Sequence, residues 1–350
     1  MARVSLMVVS ADRGRARFIV ETNGVWQDGD LGLPPTWRTT ADNIFTQFTA
    51  FLQVPQPLDP AWLGFQCRAL YKAILPDATK KILTDVLDGA KGSPPALFIY
   101  SHPAYDNVPW ELLHDGTDYL GLRWRIARMP IVAQPPARSD KTHLVSNIFQ
   151  VLGRGVMDPA AEQPLFNDWL STFNGAQTTS FPSAQGPQMW PTINTIARAW
   201  AGDILHLTCH GIEKGWTLDQ SGGDPSLIDG TVVDYVDLNG GKPLVFANAC
   251  SPAGKVGLSS SLAHRFIARG TVNVVGTFAP VTRDLAIQFA REFYSTLLTP
   301  VAGDTVEIAE AIRRTKEHFH ALKTQAGAVF DPSYLFYCLY GDATSKYELK

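Results

Sequence analysis

Apolar residues recur with strand-like spacing near the N-terminus, in Val4 to Val9 and Ala16 to Glu21, on either side of an Asp12-Arg13-Gly14 turn, and this predicts a small β element. A helix is expected around Asn43 to Leu52. Pro55, Pro57 and Pro60 follow, and because Pro fixes φ and disfavours helix in the residue before it, a boundary is placed here. It separates an N-terminal β/α module, residues 1–58, from the remainder, residues 59–350. Helical spacing then runs over Ala61 to Ile74 and Thr79 to Leu87, followed by a short strand at Ala96 to Tyr100. Pro109-Trp110 reads as a loop and Leu120 to Met129 as a hairpin-like arm. From Leu144 onward strands at 144–152, 177–181, 203–209, 243–249 and 271–277 alternate with helices at 164–174, 189–201 and 258–269. Helices at Arg283 to Leu298 and Asp304 to Lys323 precede a last strand at 335–340. Such alternation predicts an α/β fold, a mostly parallel sheet with helices on both faces.

Two of these strands end on reactive side chains. Asp203-Ile204-Leu205-His206-Leu207-Thr208-Cys209-His210-Gly211 stops on His210, and Leu244-Val245-Phe246-Ala247-Asn248-Ala249-Cys250-Ser251-Pro252 stops on Cys250. In an open parallel sheet, chemistry collects outside the carboxyl ends of neighbouring strands, so the two can meet although far apart in sequence. A thiol attacks only as thiolate, and a pKa near 8.5 leaves a few per cent ionised at neutral pH without help. His210 is a suitable base, and the helix expected after Cys250 would bring its positive end close by. This is the layout of a Cys/His nucleophilic hydrolase.

Blander readings compete at each position. A Cys at a strand end is often mere packing. His206 lies within the predicted core and reads as a structural, hydrogen-bonded histidine, and Cys209 points to the face opposite His210. His102, His114 and His264 read as ordinary polar residues. Ala249 to Val256 has the Gly-Lys and the strand-loop-helix setting of a phosphate-binding loop, but Ala249 replaces the first Gly and Val256 the Ser or Thr after Lys, which removes the tight turn and the magnesium ligand. No G-x-S-x-G elbow is present.

Strand-His-Gly followed by strand-Asn-Ala-Cys, with Val108-Pro109-Trp110-Glu111-Leu112-Leu113-His114-Asp115 upstream, resembles the CHAT domain, a bacterial branch of the caspase-like cysteine peptidases that includes separase and clostripain. Phe289-Ala290-Arg291-Glu292-Phe293-Tyr294, Ala309-Glu310-Ala311-Ile312-Arg313 and the closing Tyr334-Leu335-Phe336-Tyr337-Cys338-Leu339-Tyr340-Gly341-Asp342 extend the likeness from about residue 60 to the C-terminus. The resemblance implies a caspase-like three-layer sandwich and a His210/Cys250 dyad, with the backbone N–H groups of Gly211 and Cys250 as oxyanion hole. It further implies that Trp110 and Glu111 pack against the catalytic sheet, and that loops after the strands read the residue before the cleaved bond. Glu213, Asp224, Asp229 and Asp284 are the candidates for an acidic pocket favouring Arg or Lys, with a solvated loop acid as the alternative for each. Coupling to a bacterial defence or cell-death system, through an activating protein or ligand, is implied in the same way.

Composition narrows the partners. A net charge of -3, with 30 basic and 33 acidic residues, offers no basic excess for a nucleic-acid backbone. Neither a membrane-length apolar run nor a basic leader with a cleavage site is visible, and the four cysteines form no CxxC pair, so a reducing cytoplasmic setting is expected, with no metal and no cofactor. The stretch between Ile212 and Lys242 is rich in Gly and too long for a plain connection, which suggests an activation or gating loop. The reading is a cysteine endopeptidase acting on specific protein partners. Its alternatives are a catalytically silent scaffold or interaction module, and a transferase or amidase using the same dyad.

Overall fold

The structure, a computed structural model, describes residues 2–10, 15–32, 36–53, 58–90, 92–102, 105, 108–130, 142–146, 148–152, 203–212, 215–217, 227–228, 233–234, 244–250, 258–299, 305–322 and 330–349. The helices expected at 164–174 and 189–201 and the strand at 177–181 lie outside these residues.

Three strands open the chain: β1 (Arg3–Ser10), β2 (Ala16–Thr22) and β3 (Val25–Gly32). Asn23 and Gly24 form the β2–β3 turn with φ of 54° and 82°, the left-handed pair that a two-residue hairpin needs. β3 escapes the apolar pattern because it is an edge strand, where Gln27 and Asp28 face no second neighbour. Helices α1 (Trp37–Gln53), α2 (Pro60–Ile74) and α3 (Asp77–Gly89) follow. The start of α2 is set locally: the Asp59 side chain accepts from the Ala61 N–H at 2.9 Å and Pro60 occupies the first turn. Its buried face, Leu63, Cys67, Leu70, Tyr71 and Ile74, has the period of an amphipathic helix.

After β4 (Ala96–Ser101) come a 3₁₀ turn at Trp110–Leu112, the short helix α4 (Leu120–Arg123) and β5 (Arg125–Pro130). The segment expected to be a hairpin-like arm is thus a helical turn feeding an interior strand. The remaining strands are β6 (Thr142–Val145), β7 (Ile148–Leu152), β8 (Ile204–Ile212), β9 (Gly215–Thr217), β10 (Leu227–Ile228), β11 (Leu244–Cys250), β12 (Asn273–Thr277), β13 (Tyr337–Gly341) and β14 (Lys346–Leu349). Helices α5 (Leu258–Ala268), α6 (Arg283–Leu298) and α7 (Ile308–Leu322) lie between them, and a second 3₁₀ turn, Pro332–Phe336, leads into β13.

Among the described residues one sheet of twelve strands has the order β10-β9-β8-β11-β12-β13-β5-β4-β1-β2-β3, with β7 also paired to β8, while β6 and β14 form a separate parallel pair. β7, β8, β11 and β12 run parallel, so their carboxyl ends share one edge. β13 is antiparallel to β12 and begins at that edge, with Tyr337 opposite Thr277. Paired residues share a face. Phe246, His206 and Tyr337 meet α6 through Phe293, Tyr294 and Phe289, whereas Tyr340, of opposite parity to Tyr337, meets His264 of α5. The sheet is therefore covered on both faces. No helix among the described residues is long and apolar enough to cross a membrane.

The expected boundary at residue 58 does not interrupt the sheet. β1 pairs in parallel with β4 over six residues, and Val4, Leu6, Val8 and Phe18 belong to the same buried core as Phe246 and Tyr337. Phe45 and Phe48 of α1 pack edge-on against Phe278 and Phe336 near the start of β13. Gly341 illustrates how tightly the C-terminal strand fits: its φ is +108°, and a Cβ there would sit 2.0 Å from the Val272 carbonyl oxygen.

The 3₁₀ turn at Trp110–Leu112 brings a charge into the core. Glu111 is 1% exposed and takes two bonds from Arg128, Nε to Oε1 at 3.1 Å and Nη2 to Oε2. Burial disfavours the Arg128 charge, but the Glu111 carboxylate outweighs it and holds the guanidinium protonated. Lys316 of α7 lies in the same buried region, where desolvation pulls its ammonium down to about 8 against the favourable field of Glu111.

Two outcomes are expected. Removing residues 1–58 strips β1 from β4 and the α1 aromatics from Phe336, so residues 59–350 alone should be insoluble or uncooperative in urea unfolding; a soluble, cooperatively melting fragment would contradict this. Glu111→Gln leaves Arg128 and Lys316 without their carboxylate and should cost about 3–5 kcal/mol in the same assay, as breaking one side of a buried ion pair does.

Candidate active site

β8 and β11 are buried because both have sheet neighbours and helices over the sheet. From Ile204 to Cys209 and from Leu244 to Asn248 every residue is buried. The strands pair in parallel over seven positions, from Leu244 opposite Ile204 to Cys250 opposite His210. The last pair stands at the carboxyl edge, with backbones the usual ~4.8 Å apart. Beyond it β8 turns back: Gly211 pairs with Trp216 and Ile212 with Gly215 of β9, and β9 pairs with β10.

The floor beneath this pair is polar and closed. His206 is fully buried, with Nδ1 3.0 Å from the Tyr294 hydroxyl and Nε2 3.3 Å from Thr208 Oγ1, so it is the structural histidine that its position suggested. Burial pushes its pKa down to about 3, which keeps the ring neutral. Across the ladder, Asn248 pairs in register with Thr208. Its Oδ1 accepts from the Tyr337 hydroxyl at 2.7 Å, and its Nδ2 donates to the Ala286 carbonyl of α6 at 3.0 Å. These bonds were not legible in the sequence, although an Asn within an otherwise apolar strand was a visible signal.

The other thiols are enclosed. Cys67, Cys209 and Cys338 are buried, and burial raises Cys67 and pushes Cys338 up to about 11. Among the remaining histidines, His102 is exposed, His114 accepts the Gly116 N–H at Nδ1 at 3.0 Å, and half-buried His264 lies edge-on to Tyr340. Asp284 is exposed in the first turn of α6, which opens after β12 at the carboxyl edge. Glu213, Asp224 and Asp229 lie outside the described residues, as does the stretch 251–257 that carries the Gly-Lys resemblance to a phosphate loop. Within the stretch after β8, Val233 is buried and Asp234 forms ion pairs with Arg265 and, at 3.8 Å, Arg269, both beyond Cys250 on or just past α5.

Residues 66–334 match the sequence model of the CHAT domain. The chain belongs to the CHAT-domain family. No protein of curated function matches this CHAT chain by sequence. Solved structures give its fold a wider setting. The Saccharomyces cerevisiae separase–securin complex at 2.6 Å is similar over 99% of the chain, with a TM-score of 0.58 and 10% identity; the match covers 30% of that chain. The Arg-specific cysteine proteinase gingipain R is similar over 78% of this chain and 68% of its own, with a TM-score of 0.51 and 11% identity. At these identities the likeness is one of fold, and the fold is caspase-like. This CHAT chain spans under a third of the length of the separase chain it resembles.

The buried histidine sets a pH dependence. His206 is depressed in the folded state, so the unfolded chain binds a proton below about 6.5 while the folded one does not until about 3. Its contribution to stability is fully present above pH 6.5 and declines between 6.5 and 3, by up to about 1.4 kcal/mol per pH unit. Urea unfolding from pH 7 to 4 should show this slope, and His206→Asn should flatten it.

Proposed function

We propose that this CHAT domain is a cysteine endopeptidase that cleaves specific protein partners with a His210/Cys250 dyad. The observation that carries the reading is the register: Cys250 and His210 are the last paired residues of two adjacent parallel strands, at the edge where such sheets do their chemistry. The caspase-like fold, shared with a proteinase and with separase, supports the peptidase class.

In the proposed reaction His210 takes the thiol proton and the Cys250 thiolate attacks the scissile carbonyl. The oxyanion is held by the backbone N–H groups of Gly211 and Cys250. His210 then gives its proton to the leaving amine, and water, deprotonated by His210, hydrolyses the thioester and restores the thiol. Glu213, Asp229 and Asp284 are proposed as acids favouring a basic residue before the cleaved bond. No cofactor or metal enters these steps.

Activation by a protein or ligand is part of the proposal, in a bacterial defence or cell-death pathway by family resemblance. Its physical support is the tether of Asp234 to Arg265 and Arg269, which joins the stretch after His210 to the helix after Cys250. Both pairs are nearly half exposed, and exposed pairs contribute about 0–1 kcal/mol, so a partner can displace them.

Electrophilic peptide probes varied at the residue before the reactive group test the reading, with and without lysate. Selective labelling of Cys250 that is lost in Cys250→Ala, falls at least about 100-fold in His210→Ala and is strongest for Arg or Lys probes is expected. No labelling of Cys250 under any condition would favour the non-catalytic scaffold instead.

A further inference from the structure

We propose that Asn248 is a positioning residue, a clamp that fixes the end of β11 so that Cys250 stands opposite His210. The inference rests on the dyad reading above and assigns a role to a residue two positions before the nucleophile.

Asn248 is completely buried, in a place where an apolar side chain of similar size would carry no desolvation cost. What a carboxamide offers there is an accepting oxygen and a donating nitrogen on a single rigid plane. Both are used, and by different elements: Tyr337, the first residue of β13, donates to Oδ1 at 2.7 Å, and the carbonyl of Ala286, in the first turns of α6, accepts from Nδ2 at 3.0 Å. Only one orientation of the amide satisfies both. The Tyr337 ring is itself fixed, stacked on Phe289 at 3.6 Å between centroids and 3° between planes. Three elements that meet at the carboxyl edge are thus tied to one side chain.

The clamp sits about 6.6 Å along the strand from Cys250, two residues of rise. On the facing strand Thr208 occupies the register position beside Asn248 and contacts His206, which Tyr294 of α6 anchors. Both partners of the terminal pair therefore extend from strand positions secured through α6. A carboxylate at 248 could accept from Tyr337 but could not donate to Ala286, so Asp is not an equivalent of Asn here. Its protonated form could do both.

The experiment follows alkylation of Cys250 by iodoacetamide and by the preferred peptide probe, from pH 5 to 9, in Asn248→Asp, Tyr337→Phe and His210→Ala, with circular dichroism and thermal melts to establish folding. Tyr337→Phe deletes a single hydroxyl and keeps the stacked ring. In the folded Tyr337→Phe protein, peptide labelling is expected to fall about 10–100-fold, because misplacement by an ångström is costly to reactivity, and the midpoint of alkylation to rise toward that of a free thiol as in His210→Ala. The rate of Asn248→Asp relative to the unaltered protein is expected to recover as pH falls, when the acid can donate to Ala286. A general loss of stability produces neither the shared midpoint shift nor the recovery. Unaltered rates and midpoints in folded Tyr337→Phe and Asn248→Asp, with His210→Ala still shifted, overturn the clamp alone. Unaltered behaviour in His210→Ala overturns the dyad reading, and the clamp with it.

Discussion

The parallel ladder between β8 and β11 is the constraint on which the rest depends. Its seven pairs, from Ile204 opposite Leu244 to His210 opposite Cys250, decide which residues arrive together at the carboxyl edge. A slip of one residue would turn every side chain of a strand to the other face, exchanging His206 and Thr208 for Leu205 and Leu207 against α6. Burial makes such a slip costly, since β8 has Tyr294 waiting on one face to pair with His206 and β11 has Tyr337 waiting to pair with Asn248. Apolar packing alone would hold these strands in place, and the buried polar bonds choose the register.

The same logic recurs away from this ladder. Asn273, at the start of β12, donates to the Asp342 carbonyl at 2.7 Å and accepts from the Tyr347 hydroxyl at 2.7 Å, linking the first residue of one strand to the segment after β13. Glu111 and Arg128 connect the turn after β4 to β5. Arg125 of β5 reaches Glu307 at 2.5 Å just ahead of α7. Each of these groups has a partner in a different element, and each such bond excludes arrangements that hydrophobic burial alone would tolerate. The motifs on which the family resemblance rests, Trp-Glu-Leu-Leu, Asn-Ala-Cys and Tyr-Gly-Asp, contain Glu111, Asn248 and Asp342 of these links.

How much of this could be read in the chain follows from where the partners lie. β8, β11, β12, α2 and α6 were legible because a buried parallel strand is an apolar run and an amphipathic helix repeats every three to four residues. His210 and Cys250 stood out as polar endings on such runs. β5 was misread because Arg125 and Arg128 interrupt its apolar pattern, and the carboxylates that pair with them, Glu307 and Glu111, are known only once the chain has folded. Asn248 was visible as an anomaly but its role was not, since Tyr337 lies 89 residues away. Similarly, the proline cluster reads locally as a boundary, yet β1 belongs to the sheet beside β4, a pairing no local pattern encodes. Periodicity reports elements and endings, whereas it is silent on which element compensates a buried charge.

On the proposed reading, the distribution of bond types separates what is rigid from what can be regulated. Beneath the His210/Cys250 pair the polar contacts described are fully buried: His206 to Tyr294 and to Thr208, Asn248 to Tyr337 and to Ala286. Breaking any one would strand an unpaired polar group away from water, at about 1–3 kcal/mol. After His210, β9 and β10 continue the sheet and Ile228 and Val233 are buried, whereas Asp234 is held by its exposed pairs with Arg265 and Arg269. Exposed pairs are screened by salt and readily exchanged for contacts with another molecule. A partner that competes for Arg265 and Arg269 would therefore release Asp234 at small cost while leaving the floor of the site in register, so on this reading activation would act beyond the ladder rather than on the pairing of the strands.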